Sequence, residues 1–132
     1  MKSAVLDSYA VLAFLFKEPG HEIVLSLFEK ALEDGRSIFI ASPNWAEIRY
    51  MVERKAGIDR WSEIRDKLLG LPIEIADADM DLAEQAGRIK ATHKMSLADC
   101  FGAALAKKKK AEIYTGDPEF RSIESEVKVV WL

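Results

Sequence analysis

Residues 4–14, AVLDSYAVLAF, place an aspartate at the junction of two apolar segments. Ala4, Val5 and Leu6 predict a buried strand, and the run from Val11 to Phe16 predicts a buried helix. Asp7 lies between them, where a carboxylate is difficult to keep solvated. A strand that passes directly into a helix is typical of α/β domains, and the buried charge at this junction requires a partner from elsewhere in the chain.

The rest of the chain continues the alternation of strands and helices. Short apolar segments rich in Ile and Val are typical of strands that are covered on both faces, and helical patterns separate most of them. We therefore expect one α/β domain over residues 1–132 with a mostly parallel sheet, since no linker divides the sequence. The predicted strands are Ser3–Leu6, Ser37–Ala41, Ile73–Ala76, Glu112–Thr115 and Val127–Trp131.

Local signals mark the ends of the predicted helices. Pro19-Gly20 ends the first helix, and the second extends to Leu32 and is ended by Asp34-Gly35. Ser42 is predicted to be the N-cap of the third helix, with Pro43 in its first position. The remaining helices are predicted over Ile58–Leu69, over Asp79–Thr92 with Leu82, Ala83, Ala86 and Ile89 facing inward, and from the Ser96 cap to the lysines at 107–110.

Composition and charge narrow the class of protein. A net charge of −3 over 132 residues argues against a generally basic nucleic-acid-binding surface, although a local basic face is still allowed. Cys100 is the only cysteine, which excludes an internal disulfide and favours a reducing compartment. No segment approaches the roughly 18 apolar residues that span a bilayer, and Asp7 interrupts the first apolar run. We therefore expect a cytoplasmic protein with no membrane contact.

Two acidic residues follow predicted strands directly. Asp7 comes after the first strand, and Asp117 follows the fourth in the segment Thr115-Gly116-Asp117. In doubly wound sheets, ligands bind outside the carboxyl ends of the strands where the strand order reverses. If the first and fourth strands are neighbours at that point, Asp7 and Asp117 face each other.

Two further acids lie near the starts of predicted helices. Asp99 lies on a helix face of small residues, which allows the helix backbone to approach its neighbour closely. Glu47 lies at the edge of an apolar stripe in SPNWAEIRY. Each of the four acids also has a structural interpretation as a helix cap, a capping-box residue or a partner of the helix dipole.

The four acids together favour a metal site. Two carboxylates about 4 Å apart repel each other by roughly 4 kcal/mol at an effective dielectric constant near 20. Four of them in one place require raised pKa values or a cation, and the cation that prefers carboxylate oxygens is Mg²⁺ or Mn²⁺. A bound cation would explain why Asp7 is tolerated at the junction.

Four segments of the chain resemble, in order and spacing, the motifs of PIN-domain nucleases, and especially those of VapC toxins. They are VLDSYAVLAFLFKEPG, SPNWAEIRY, SLADCFGAALA and IYTGDPEF, and together they cover nearly the whole chain. The resemblance implies a three-layer α/β/α domain with a five-stranded parallel sheet in the order 3-2-1-4-5. It also implies a metal-dependent endoribonuclease that acts on tRNA, rRNA or mRNA, forms a homodimer and is inhibited by a VapB-like antitoxin.

The same resemblance assigns roles to particular residues. Asp7, Glu47, Asp99 and Asp117 match the acidic quartet of the family, and the three aspartates are expected to bind Mg²⁺ or Mn²⁺. Glu47 is expected to hold a second ion or to take the proton of the attacking water. Ser8 and Thr115 match hydroxyl positions and are expected to hydrogen-bond the carboxylates. Glu119 is either a peripheral fifth acid or, the interpretation favoured here, a first-turn helix residue.

Other interpretations stay open. The chain could be a non-catalytic PIN-fold module that binds RNA or protein. A phosphoryl-transfer domain is disfavoured because Tyr9 stands where a second aspartate is needed. Trp45, Tyr50, Met51 and Trp61 are predicted to be core rather than an exposed groove for an antitoxin helix. The basic residues suited to RNA phosphates are Arg49, Arg54, Lys55, Lys90 and Lys94, whereas Lys107–Lys110 is favoured as a solvated helix end.

Overall fold

Five parallel strands form a single sheet in the computed structural model, which describes residues 1–132. The order β3-β2-β1-β4-β5 confirms the predicted order, and every neighbouring pair is parallel. The first, second and fifth strands start slightly later than predicted. The strands are β1 (Ala4–Leu6), β2 (Ile38–Ala41), β3 (Ile73–Ala76), β4 (Glu112–Thr115) and β5 (Val129–Trp131).

Six α-helices and one 3-10 helix connect the strands. They are α1 (Ser8–Leu15), α2 (His21–Asp34), α3 (Ser42–Ala56), α4 (Ile58–Leu69), α5 (Met80–Thr92), α6 (Leu97–Lys109) and the 3-10 helix Pro118–Ile123. No helix combines the length and the apolar character that crossing a bilayer requires. Helix α2 extends to Asp34, two residues beyond the predicted Leu32, and Gly35 in the left-handed conformation terminates it, as the Asp34-Gly35 signal predicted.

The prediction that Ser42 caps α3 is wrong. Strand β2 passes into α3 with no intervening residue, so the extended residue before the helix is Ala41, which has no capping side chain. The Ser42 hydroxyl instead accepts a hydrogen bond from the backbone N–H of Ala78 at 3.0 Å. Ser42 thus ties the start of α3 to the segment that follows β3.

Two apolar cores cover the two faces of the sheet. Helices α1 to α4 pack on one face around Leu6 and Ile40, and α5, α6 and the 3-10 helix pack on the other around Val5 and Ile113. Alternate residues of each strand therefore enter different cores, which explains the nearly continuous apolar strands. This arrangement gives the three layers that the sequence predicted.

Some of the predicted core residues are on the surface. Trp61 is buried, and the half-buried Trp45 packs against it with ring centroids 5.5 Å apart. Tyr50 and Met51 are 42% and 43% exposed, so the core prediction is wrong for both. Ala83 is also exposed, because α5 buries only a narrow face.

Candidate metal centre

Asp7 is held at the junction between β1 and α1 by two hydrogen-bond donors. Leu6 pairs with Tyr114 in the parallel ladder, so the next residues, Asp7 and Thr115, lie beside each other at the carboxyl ends of β1 and β4. Oδ1 of Asp7 accepts a hydrogen bond from the backbone N–H of Ala10 at 2.9 Å and thereby caps α1. Oδ2 accepts a hydrogen bond from the Thr115 hydroxyl. Asp7 is therefore a helix cap and is fully buried at the same time.

Burial makes the charged form of Asp7 unfavourable. Loss of solvation, together with the smaller effect of the negative charges of Asp117 and Glu47, raises the pKa of this carboxyl to about 7. The hydrogen bonds from Thr115 and Ala10 act in the opposite direction. Asp7 is thus poised between its neutral and its charged form near neutral pH.

Asp99 reaches the same region from the first turn of α6. The Ser96 hydroxyl caps this helix by accepting a hydrogen bond from the Asp99 N–H at 3.3 Å. At Gly102, an added Cβ would lie 3.3 Å from Oδ1 of Asn44, so the glycine allows α6 to approach α3. Burial, followed by the charges of Asp7, Asp117 and Glu47, raises the pKa of Asp99 to about 8.

Asp117 and Glu119 complete an acidic cluster with Asp99. Carboxylate oxygens of these three residues all lie within 4.8 Å of one another. The Asp117 N–H donates to the Thr115 hydroxyl at 3.0 Å, and Oδ1 of Asp117 accepts from the Glu119 N–H at 2.9 Å. Oε1 of Glu119 in turn accepts from the Ser96 N–H at 3.1 Å.

Glu119 contributes to the acidic cluster, which the sequence alone did not predict. It lies in the first turn of the 3-10 helix, as predicted, yet its carboxylate also belongs to the cluster. The spacing from Asp117 alone did not show this, because the tether is the backbone N–H of Ser96, 23 residues away in sequence.

The fourth predicted acid, Glu47, lies on the same cavity as the cluster. This cavity of about 430 Å³ is lined by Ser8, Tyr9, Leu12, Glu47, Met51, Ser96, Asp99, Asp117 and Glu119. Asp7 does not line it but is close enough for its charge to raise the pKa of Asp99. The fold thus brings the four predicted acids to one place, at the carboxyl ends of β1 and β4.

The two predicted hydroxyl contacts have different outcomes. Thr115 donates to Asp7, as expected. The expected bond from Ser8 to a carboxylate is wrong, because Ser8 faces α3 and donates to the backbone carbonyl of Asn44 at 3.3 Å. The Asn44 side chain returns a hydrogen bond to the Ser8 hydroxyl at 3.2 Å, while its own Oδ1 is buried without a partner. Sequence reasoning missed this connection between α1 and α3.

The donors around the cavity suit a hard divalent cation. All the clustered ligand atoms are carboxylate oxygens, which Mg²⁺ and Mn²⁺ both prefer. Burial, together with the charges of the neighbouring acids, raises the pKa values of Asp7 and Asp99, so their ionised forms are unfavourable in the protein alone. A cation here would favour the ionised carboxylates and relieve their repulsion.

Comparison with known proteins relates the chain to one family. The family model described as PIN domain matches residues 4–126. No curated protein matches the sequence significantly.

Solved structures share the fold at low sequence identity. DNA-bound VapBC from Salmonella typhimurium matches with a TM-score of 0.80 and 19% identity over 98% of each chain. VapBC2 from Rickettsia felis, bound to a promoter DNA fragment, matches with a TM-score of 0.74 and 20% identity over 98% of each chain. VapC20 from Mycobacterium tuberculosis, described as a sarcin-ricin loop cleaving toxin, matches with a TM-score of 0.67 and 20% identity over 90% of this chain and 93% of that chain.

Proposed function

The chain belongs to the PIN-domain family, and from this premise we propose that it is a metal-dependent endoribonuclease, the toxin of a VapBC-type toxin–antitoxin pair. The observation that carries the proposal is the convergence of Asp7, Glu47, Asp99 and Asp117 at the carboxyl ends of β1 and β4. The similar structure of VapC20 is described as a sarcin-ricin loop cleaving toxin, which supports RNA as the substrate class.

The carboxylates of Asp7, Asp99 and Asp117 would hold the ion, with Glu119 beside the last two. Bound Mg²⁺ or Mn²⁺ supplies a more acidic water and offsets negative charge on the phosphodiester during cleavage. The hydrogen bond donated by the Thr115 hydroxyl fixes the orientation of the Asp7 carboxylate, and the Ser96 hydroxyl fixes the Asp99 backbone by accepting a hydrogen bond from its N–H. Glu47 lies on α3 and lines the same cavity, where it would hold a second ion or accept the proton of the attacking water.

The partner in this proposal is a VapB-like antitoxin. The similar Salmonella and Rickettsia structures are described as VapBC assemblies, and a third, from Klebsiella pneumoniae, is described as a toxin-antitoxin complex. A homodimer of this chain is part of the same proposal. The toxin would act in the cytoplasm, where both RNA and antitoxin are available.

Mapping of new RNA 5′ ends tests the function directly. The chain is expressed in a bacterial host, and RNA ends are compared between the wild type and Asp7→Asn. We expect discrete new ends in the wild type only, because the amide cannot supply the charge that the cation requires. The variant should accumulate and give the same circular dichroism spectrum as the wild type.

Two results would contradict the proposal. Full cleavage by Asp7→Asn would remove the acidic site from the mechanism. A folded wild type that produces no new ends and does not bind Mn²⁺ would favour the alternative, a non-catalytic PIN-fold module.

A further inference from the structure

One wall of the acidic cavity is apolar. Tyr9 and Leu12 lie one turn apart on α1, and Met51 lies one turn beyond Glu47 on α3. Tyr9 is 46% exposed and Met51 43% exposed, although both are large hydrophobic side chains. Isolated exposed apolar residues are common on protein surfaces, but these line a cavity whose other walls are acidic.

Gly116 allows the Tyr9 ring to lie directly against the loop between Thr115 and Asp117. A Cβ built on Gly116 would lie 2.2 Å from Cε1 of Tyr9 and 2.6 Å from Cζ. Any side chain at position 116 would therefore force the ring to move. The aromatic ring is thus packed next to the acidic cluster while nearly half of the residue is accessible.

The size and chemistry of the cavity suit one nucleotide. Its volume of about 430 Å³ lies within the range of pockets that bind small ligands, roughly 300–1,000 Å³. A phosphodiester bound at the carboxylates carries a ribose and a base on either side, within reach of the adjoining wall. That wall offers no cation for a second phosphate, whereas an aromatic face stacks on any base.

We propose that Tyr9, with Met51 and Leu12 around it, forms a nucleobase subsite for a nucleotide that flanks the cleaved phosphodiester. This inference rests on the proposed function, since it takes the phosphodiester to lie at the acidic cluster. A nucleotide accounts for both walls of the cavity. An apolar side chain of a protein partner would account for only one of them.

Three substitutions of Tyr9 separate stacking from other roles. Steady-state cleavage is measured on a synthetic RNA that carries the cleavage site mapped for the wild type. Tyr9→Phe should keep kcat/KM within about twofold of the wild type, because the ring is retained. Tyr9→Leu and Tyr9→Ala should lower kcat/KM by roughly 10- to 100-fold, mainly through a higher KM.

An abasic substrate identifies the base as the contact. The same RNA is made with one abasic ribose on either side of the cleaved bond in turn. At one of these positions, removal of the base should lower the kcat/KM of the wild type about as much as Tyr9→Ala lowers it on the intact RNA. The kcat/KM of Tyr9→Ala should not change when the same base is removed. Equal losses in the wild type and Tyr9→Ala at both positions would overturn the subsite.

Gly116→Ala tests the placement of the ring. The methyl group should displace Tyr9 and lower kcat/KM in the wild-type background, but it should cause no further loss in the Tyr9→Ala background. Thermal melting of each variant checks the fold.

The possible failures are distinguishable. If the wild type cleaves no RNA, the proposed function fails. If the wild type cleaves RNA and Tyr9→Ala cleaves it equally well, only the subsite fails. Retained cleavage by Tyr9→Ala, together with weaker binding of a co-expressed antitoxin, would assign this wall to a protein partner.

Discussion

At the scale of single residues, Asp7 shows how this fold tolerates a buried acid. Both of its carboxylate oxygens accept hydrogen bonds, one from a helix N–H and one from Thr115, yet burial still raises its pKa to about 7. Complete hydrogen bonding therefore offsets only part of the cost of desolvation. A cation nearby would supply the remaining stabilisation of the charged form.

Thr115 should control how well Asp7 serves a metal ion. In Thr115→Val the Asp7 carboxylate loses a hydroxyl donor, and the Asp117 N–H loses its acceptor. We expect Mn²⁺ affinity and RNA cleavage to fall by roughly 10- to 100-fold. Thr115→Ser is the matched control and should retain most of both. Unchanged affinity and cleavage in Thr115→Val, or a loss in Thr115→Ser as large as that in Thr115→Val, would contradict this role of the hydroxyl group.

The stability of the metal-free protein should fall as pH rises. Asp7 and Asp99 have raised pKa values, about 7 and about 8 in the folded protein, against 3.8 for an aspartate in water. The folded state therefore binds more protons than the unfolded state, and stability is highest below pH 4 as far as these two groups are concerned. Their contribution is lost progressively as pH rises and becomes constant once both are ionised.

Urea unfolding in EDTA at a series of pH values measures this effect. One group contributes a slope of at most about 1.4 kcal/mol per pH unit between its two pKa values. Asp99→Asn should reduce the slope, and Mn²⁺ should restore stability at the alkaline end. A wild-type slope of zero in EDTA would contradict the electrostatic description of the site.

At the scale of secondary-structure elements, the site depends on close approach between helices. Helix α6 carries Asp99 and packs against α3 through Gly102, where an added Cβ would lie 3.3 Å from Asn44 and 3.4 Å from Ile113. In α5, by contrast, Gly87 has no neighbour within 4 Å of an added Cβ. Two glycines in adjacent helices therefore have different roles.

This contrast makes a paired prediction. Gly87→Ala should stabilise the protein by about 0.5–1 kcal/mol, because alanine is the better helix former and nothing obstructs it. Gly102→Val should destabilise it by about 1–3 kcal/mol through overpacking. Chemical denaturation of both variants provides the check. A stabilising Gly102→Val would mean that α6 and α3 are not tightly packed at this point.

The positions of the strands could be predicted from the sequence, whereas the buried faces of the helices could be predicted less well. Apolar runs located all five strands because strands covered on both faces need little further context. The order of the strands came from the resemblance to a family. Tyr50 and Met51 were misplaced because the exposed face of α3 depends on how α1 and α4 pack against it.

The acidic site was predictable in outline but not in its hydrogen bonds. Asp7 and Asp117 follow adjacent parallel strands, so their convergence follows from topology. Ser8 and Glu119 were assigned less well, because their contacts are to Asn44 and Ser96, which are distant in sequence. Such contacts depend on the position of each helix to within about an ångström. The spacing of residues along the chain does not predict that position.

At the scale of the whole molecule, the cationic side chains differ in what they contact. The Arg54 guanidinium stacks over Tyr50 at 4.8 Å on the exposed part of α3, beyond Glu47 and Met51. Lys107, at the end of α6, is paired with Glu126 at 3.0 Å and lines a different cavity. We therefore expect the RNA backbone to extend from the site along the exposed side of α3.

Salt dependence of RNA binding tests this placement. Arg54→Ala should weaken binding and reduce the slope of log K against log salt concentration by roughly 0.7 if it contacts one phosphate of a single strand. Lys107→Ala is the matched control and should leave the slope unchanged. The opposite pattern, with only Lys107→Ala affecting the slope, would place the RNA on α6 instead.

Calorimetric titration with Mn²⁺ at neutral pH tests the central claim, that the converging carboxylates bind a divalent cation. We expect saturable binding to the wild type with release of protons, since Asp7 and Asp99 are partly protonated beforehand. Binding should be abolished by Asp99→Asn and retained by Asp59→Asn, which alters an exposed acid on α4. Absence of binding to the folded wild type, or equal binding by Asp99→Asn, would show that these carboxylates do not form a cation site.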